Sequence, residues 1–251
     1  MSMSTITLHS GGLRLAASLF IPPAAAQPPP WPAVIIVHGF AGTKESHTEF
    51  GEYLARSGIA ALALDLRGHG ASQGFLDARV LDDLGGAVSY LRTVPEVDCG
   101  RIVVRGSSLG GNLAVHAGVK YSEIAGVVAI CPATESLLLP WVESGQAVRD
   151  SRALGLTVRL NATSFANYLR SHDLRQAVPR LSPRPLLLVQ ARGDQTVPYQ
   201  STVDLYTLAR EPKRLLLLEG GDHRSAQHDS SVHAEVVKWV AGLAATSPAQ
   251  A

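Results

Sequence analysis

The sequence predicts an α/β fold in which a mostly parallel sheet carries helices on both faces. Three observations point there. Six short apolar runs recur, at residues 33–37, 59–64, 102–104, 127–130, 186–189 and 215–218. Stretches with helical spacing separate most of them, at 47–57, 79–92, 110–119, 199–209 and 231–243. The chain has 251 residues, 46% hydrophobic and 17% charged, enough to enclose such a sheet in a sizeable core. A run that stays apolar instead of alternating is what a strand covered on both faces needs, and regular strand–helix alternation makes the strands parallel.

The elements follow in order. Residues 4–9 and 13–21 carry β-formers on either side of Gly11-Gly12 and predict an antiparallel hairpin ahead of the parallel strands. The Pro-rich stretch 22–32 reads as a stiff connector. The interval 132–184 is too long for a plain loop in a compact domain, so further helices are expected in it. No internal repeat or break in composition marks a boundary, and the expectation is one domain over 1–251. The small, polar tail 244–251 is expected to fray.

Composition argues against several function classes. Lys plus Arg number 22 against 21 Asp plus Glu, so a net charge of +1 gives no drive toward nucleic acid or anionic lipid. A neutral or weakly charged small molecule fits better as partner. No apolar run reaches the ~18 residues of a membrane span, and residues 1–10 lack the basic-then-apolar pattern of a signal peptide. A soluble cytoplasmic protein is therefore expected. Cys99 and Cys131 stand at the edges of strand-like runs, outside any disulfide or metal-ligand spacing, and read as free thiols.

The strongest chemical signal is Gly106-Ser107-Ser108-Leu109-Gly110-Gly111, directly after the run 102–104 and directly before a helical stretch. A serine hydroxyl is a poor nucleophile until a base takes its proton, and it must stand clear of the backbone to meet base and substrate. A sharp strand-to-helix turn presents it so, and the crowding of that turn demands glycine at Gly106 and Gly110. Ser108 is the candidate nucleophile. Ser107, at a variable position of the G-x-S-x-G pattern, reads as a packed turn residue.

A general base must converge from another strand end, and His223 follows the last apolar run in Glu219-Gly220-Gly221-Asp222-His223. His228 and His233 lie further on and rank below it. The imidazole needs a carboxylate to fix its tautomer, and Asp194 stands just after the run 186–189 in Gly193-Asp194-Gln195-Thr196-Val197-Pro198. Glu135, after the preceding strand, is the substitute acid; Asp222 is too near His223 in sequence to serve. The backbone N–H of Leu109 and that of Phe40, in His38-Gly39-Phe40-Ala41-Gly42, are the expected oxyanion donors. Their side chains are left to the lining of the pocket, and His38 is left to hold the loop.

The chain order Ser108, Asp194, His223 is that of the α/β hydrolases. The sequence resembles that superfamily along nearly its whole length: the 38–42 loop with Thr43-Lys44, then Asp65-Leu66-Arg67-Gly68-His69-Gly70-Ala71-Ser72, then the segments 106–111, 193–198 and 220–223, in the family's order. The Phe-containing loop followed by Thr43-Lys44-Glu45 is similar to small bacterial esterases related to cinnamoyl and feruloyl esterases and to the dienelactone-hydrolase group. The resemblance implies an α/β-hydrolase fold of eight strands, with 132–184 as a small helical cap between the sixth and seventh. It implies a two-step acyl-enzyme reaction with no metal and no organic cofactor, and it makes Arg67 and His69 scaffold. The run Leu137-Leu138-Leu139-Pro140-Trp141 would then face an acyl or aromatic group. One departure stands out: dienelactone hydrolases use a cysteine nucleophile where this chain has Ser108, which argues against that reaction.

The function expected is that of a serine carboxylesterase acting on a small-molecule ester with a short-chain or hydroxycinnamoyl-type acyl group. An acyltransferase, a peptidase or a C–C bond hydrolase would share the same three residues and differ in acceptor or leaving group. A non-catalytic ligand-binding member of the fold is disfavoured because all three positions are filled.

Overall fold

The computed structural model describes residues 1–25 and 27–243, so the expected fraying of 244–251 lies outside the described residues. Strands β1 (Ser2–Ser10) and β2 (Leu13–Ile21) form the antiparallel hairpin, turning at Gly11 and Gly12, both at positive φ. They join β3 (Trp31–Val37), β4 (Ala60–Leu64), β5 (Val97–Ser107), β6 (Ile124–Ile130), β7 (Leu186–Ala191) and β8 (Lys213–Leu218). The eight strands make one sheet of order β1-β2-β4-β3-β5-β6-β7-β8, and every pairing from β4 to β8 is parallel.

Strands β3, β5, β6, β7 and β8 all extend past their apolar runs, and two of them show why. The first half of β5, Asp98-Cys99-Gly100-Arg101, is polar and only partly covered, so it carries no apolar signal. Strand β3 takes in Trp31 and Pro32, which ends the proline connector at Pro30.

The helices are α1 (Thr48–Arg56), α2 (Leu81–Leu91), α3 (Leu109–Lys120), α4 (Glu135–Glu143), α5 (Gln146–Ala153), α6 (Ala162–Ser171), α7 (Leu174–Ala177), α8 (Tyr199–Leu208) and α9 (Ser230–Ala241). They cover both faces of the sheet. Phe50 and Leu54 of α1 and Val232 and Val236 of α9 share a core with Val34 and Ile36 of β3. Leu84 of α2, Leu113 of α3 and Leu205 of α8 share the other with Ala33, Ile35 and Val37. Successive residues of one strand thus feed two cores, which is why these strands read as unbroken apolar runs. No helix among the described residues is long and apolar enough to cross a membrane.

Helices α4 to α7 fall between β6 and β7, where the extra helices were expected. Two anchors hold them. Arg159 O accepts from Leu76 N at 2.7 Å and Asn161 N donates to Leu76 O at 3.0 Å. At the other anchor, buried Glu135 accepts from Asn112 and pairs with His116, each at 2.7 Å, and accepts from Leu174 N at 2.9 Å. Burial opposes the charge on Glu135, but His116 and the Leu174 amide outweigh it and keep the carboxyl below its ordinary range. Glu135 therefore ties the cap to α3 and is committed away from His223.

The loop after β4 is scaffold, as its resemblance implied. The buried Arg67 guanidinium donates to Asp83 at 2.9 and 2.7 Å and to Asp77 at 2.9 Å, and Asp83 also takes Ser10 Oγ. A buried ion pair with its remaining positions filled is tolerated where a lone charge is not. His69 is buried beside it, with Nδ1 3.0 Å from Arg67 O.

Candidate active site

The parallel strands deliver their candidate residues at one edge of the sheet. Ser108 directly follows β5, Asp194 follows β7, His223 follows β8, and the 38–42 loop follows β3. In a parallel α/β sheet the carboxyl ends of the strands open such a crevice.

Ser108 sits at φ 55 and ψ −119, on the left-handed side of the backbone map that non-glycine residues avoid at a cost of about 1–3 kcal/mol. Its surroundings hold it there. Ser108 N donates to Ile130 O at 2.9 Å, while Ser108 O accepts from Asn112 N at 3.1 Å and Ala133 N at 3.2 Å. The flanking glycines are required by space: a Cβ on Gly106 would lie 2.0 Å from Gly110 O, and one on Gly110 would lie 2.3 Å from Val37 O. Helix α3 starts at Leu109, so the Leu109 N–H is among the amides that have no carbonyl partner within the helix.

Asp194 is held from both oxygens. Its Oδ1 accepts from the amides of Thr196 and Val197, each at 2.8 Å, which closes the loop after β7. Its Oδ2 accepts from His223 Nδ1 at 2.7 Å and from Gln190 Nε2 at 3.1 Å. Burial works against ionisation, but the His223 bond and the two amides prevail and hold the carboxyl below its usual range. An ionised carboxylate only accepts, so His223 carries its proton on Nδ1 and leaves Nε2 for a hydroxyl.

Ser108 and His223 line the same cavity of about 710 Å³. One half is apolar, walled by Phe40 and by Leu137, Leu138, Trp141, Leu154 and Leu156 of the cap region, with the Phe40 and Trp141 ring centroids 4.8 Å apart. The other half is polar, walled by Thr43, Ser46, His47, Ser107, Gln227 and His228. The 38–42 loop presses on the nucleophile, since a Cβ on Gly39 would lie 3.3 Å from Ser108 Cβ. His38 holds that loop: Nδ1 lies 2.7 Å from Gly39 O, and Nε2 accepts from Leu66 N at 3.1 Å. Burial pushes its pKa down to about 4, so it stays neutral.

Ser108, Asp194, His223 and Phe40 are thus gathered as the sequence suggested, but the side chain of Leu109 is not. It packs fully into the core under the sheet instead of lining the cavity, because it opens α3 on the inward face. Within the 137–141 run, Leu137, Leu138 and Trp141 line the cavity and Leu139 does not; Leu138 is also part of the core, and Leu139 and Trp141 both pack against it. Ser107 is buried and hydrogen-bonds Gln227 Oε1, as a packed turn residue does. His233 lies 3.0 Å from Gln227 O and packs on Phe50, and Asp222 accepts from the amides of Arg224 and Ser225 in an exposed turn.

Two further residues complete the site. Gln190, wholly buried in β7, donates to Asp194 and accepts from Thr202 Oγ1 at 2.7 Å; a polar residue inside an apolar strand was its only signal. Cys131, a free thiol directly after β6, has its Sγ within 4.8 Å of the Asp194 carboxylate and a His223 ring nitrogen. These three atoms are of metal-binding type. Burial, seconded by the charge of Asp194, pushes the thiol up to about 12, and Asp194 and His223 already bond each other, so the thiol stays protonated and the group reads as a hydrogen-bonded cluster around an ionised carboxylate.

This fold, with this crevice, defines an α/β hydrolase. The chain belongs to the Hydrolase_4 family, serine aminopeptidase S33, whose profile matches residues 28–179. That span includes Phe40, Ser108 and Leu109, whereas Asp194 and His223 lie beyond it. The uncharacterized protein YfhR of Salmonella typhimurium (strain LT2) is 30% identical over 217 residues, covering 82% of this chain and 70% of its own length. Among solved structures, the α/β hydrolase GrgF from Penicillium sp. sh18 shares the fold with a TM-score of 0.80 at 21% identity, over 96% of this chain and 98% of its own. Est1E from Butyrivibrio proteoclasticus, with ferulic acid bound, gives 0.71 at 23% identity, over 94% and 96%.

Proposed function

We propose that this chain is a serine carboxylesterase working through an acyl-enzyme. The observation that carries the reading is the 2.7 Å bond from His223 Nδ1 to Asp194 Oδ2, which holds an oriented imidazole at the cavity that Ser108 lines. Ser108 Oγ attacks the ester carbonyl carbon as its proton passes to His223 Nε2. The carbonyl oxygen takes the negative charge and is held by the amides of Phe40 and Leu109. Collapse breaks the bond to the alcohol oxygen, which leaves with the proton from His223. Water, deprotonated by the same nitrogen, then attacks the acyl carbon and releases the acid and Ser108.

The apolar half of the cavity, with Phe40 and Trp141, suits an acyl or aromatic arm, and the ferulic acid held by Est1E supports that choice. The family's description raises peptide hydrolysis as the rival. An aminopeptidase must bind a free ammonium, which calls for an available carboxylate. Asp150 is the carboxylate on the cavity wall among the described residues, and its two oxygens already accept from Trp141 Nε1 at 2.8 Å and Gln146 Nε2 at 2.6 Å. Those donors are neutral and leave the carboxylate its charge, so the preference for ester cleavage rests on the apolar wall and the peptide rival is decided by the test below.

Ser108→Ala tests the assignment. It should abolish turnover of 4-nitrophenyl acetate and labelling by a fluorophosphonate while leaving the circular-dichroism spectrum unchanged. Undiminished turnover, or faster release from alanine 4-nitroanilide than from the ester by the parent protein, would overturn it.

A further inference from the structure

Against His47 and Gln227 of the polar half lies a positive charge that no carboxylate among the described residues pairs with. Arg105, in β5 three residues before the candidate nucleophile, is wholly buried. It donates to Gln227 O at 2.7 Å, lies 4.9 Å over the Phe50 ring and makes a long 3.5 Å contact to His47 Nδ1, while its Nε has no partner. Among the described residues no carboxylate pairs with it. The Cys131 thiol, whose charge would act on Arg105, is kept neutral by its burial, and Glu49, which acts on His228 and His233, makes no ion pair with Arg105. Burial of the unpaired guanidinium lowers its pKa to about 9, so it remains a cation at neutral pH.

The imidazole in contact with this charge also borders the cavity. A guanidinium cannot accept, so His47 Nδ1 accepts from Arg105 and the ring proton sits on Nε2. His47 is 1% exposed and lines the cavity, yet its Nε2 has no partner. An uncompensated buried charge and an orphaned buried donor are both costly, and each calls for a partner that the described residues do not supply. Gln227 and exposed His228 adjoin on the same wall, and burial lowers the pKa of His228, leaving it neutral too.

We propose that this end of the cavity accepts the carboxylate of an anionic ester, seated against His47 over the Arg105 charge, while the other arm of the substrate enters the apolar half. The protein would then prefer esters that carry a second, free carboxyl group. The inference rests on the esterase reading for its kinetic test, but the binding test below does not.

Two matched pairs place the charge on either arm: monoethyl adipate against ethyl hexanoate for the acyl side, and 4-acetoxybutanoate against butyl acetate for the alcohol side. For at least one pair the parent protein should show the higher kcat/KM with the carboxylate. Arg105→Met should lower that carboxylate-to-neutral ratio by about tenfold or more, and Arg105→Lys should restore most of it. Should Arg105→Met fail to fold, His47→Phe is expected to lower the same ratio. Preference for the neutral ester in both pairs, or a ratio that no variant moves, overturns the proposal. If no ester is turned over, the esterase reading fails first. Calorimetric binding of adipate then decides the subsite: the proposal requires saturable binding that Arg105→Met weakens, and it falls if adipate does not bind.

Discussion

His223 Nδ1 and Asp194 Oδ2 meet at 2.7 Å although 29 residues separate them, because β7 and β8 are neighbours in the sheet and release their loops at the same edge. The carboxylate does two things with that bond. In the proposed reaction it fixes the tautomer that leaves Nε2 for Ser108, and it steadies the imidazolium that forms when the serine proton arrives. Asp194→Asn keeps the size and the loop-closing oxygen but presents an amide that permits the wrong tautomer. The expected result is a fall in kcat of about 10³–10⁴-fold with little change in KM for 4-nitrophenyl acetate. A fall of tenfold or less would mean that another acid orients His223.

How much of this was legible in the sequence depends on the range of the force involved. Gly106, Ser108 and Gly110 could be read because a strand-to-helix turn is crowded by its own backbone, a local constraint that fixes residue types at fixed spacing. Asp194 and His223 could be read because each follows an apolar run, and parallel strands bring their ends to one edge. The roles of Gln190, Cys131 and Arg105 could not, since each depends on what a neighbouring strand or loop places against it. The start of β5 was missed because its first residues are only partly covered and so can be polar, and the Leu109 side chain was misplaced because its direction is set by the phase of α3.

The turn at Ser108 makes a sharp stability prediction. A Cβ on Gly106 would sit 2.0 Å from Gly110 O and 2.8 Å from Gly111 N, both backbone atoms that cannot swing aside. Gly106→Ala should therefore cost about 3 kcal/mol or more, or roughly 6–12 °C in Tm, by thermal unfolding. Gly220 is the control. A Cβ there meets nothing within 4 Å, so Gly220→Ala should leave Tm nearly unchanged. Equal losses at the two positions would contradict the packing described at the turn.

Acid should loosen the loop that His38 holds. Burial lowers the pKa of His38 from 6.5 to about 4, and burial with the neighbouring His38 lowers that of His69 to about 3. Between these values and 6.5 the unfolded chain binds protons that the folded chain refuses. Their contribution to stability is thus complete above about pH 6.5 and is lost as the pH falls through about 4 and then 3. Urea midpoints should drop over that window, and His38→Gln, which can still accept from Leu66 N, should flatten part of the slope. An unchanged slope in the variant would place the acid sensitivity elsewhere.

The apolar half of the cavity predicts which substrates the cap selects. Trp141 stands 4.8 Å from Phe40, ring centroid to centroid, and its indole N–H is anchored on Asp150 at 2.8 Å, so the ring is held in place before any substrate arrives. A feruloyl ring entering beside Phe40 gains an aromatic neighbour on that wall, whereas an acetyl group is too short to reach it. Trp141→Ala should lower kcat/KM for a feruloyl ester about tenfold more than for an acetyl ester, with octanoyl between them because a flexible chain recovers part of the lost area on Leu137 and Leu138. Equal losses across the three esters would assign Trp141 to holding the cap together, and a larger loss for acetyl would put the acyl arm in the polar half.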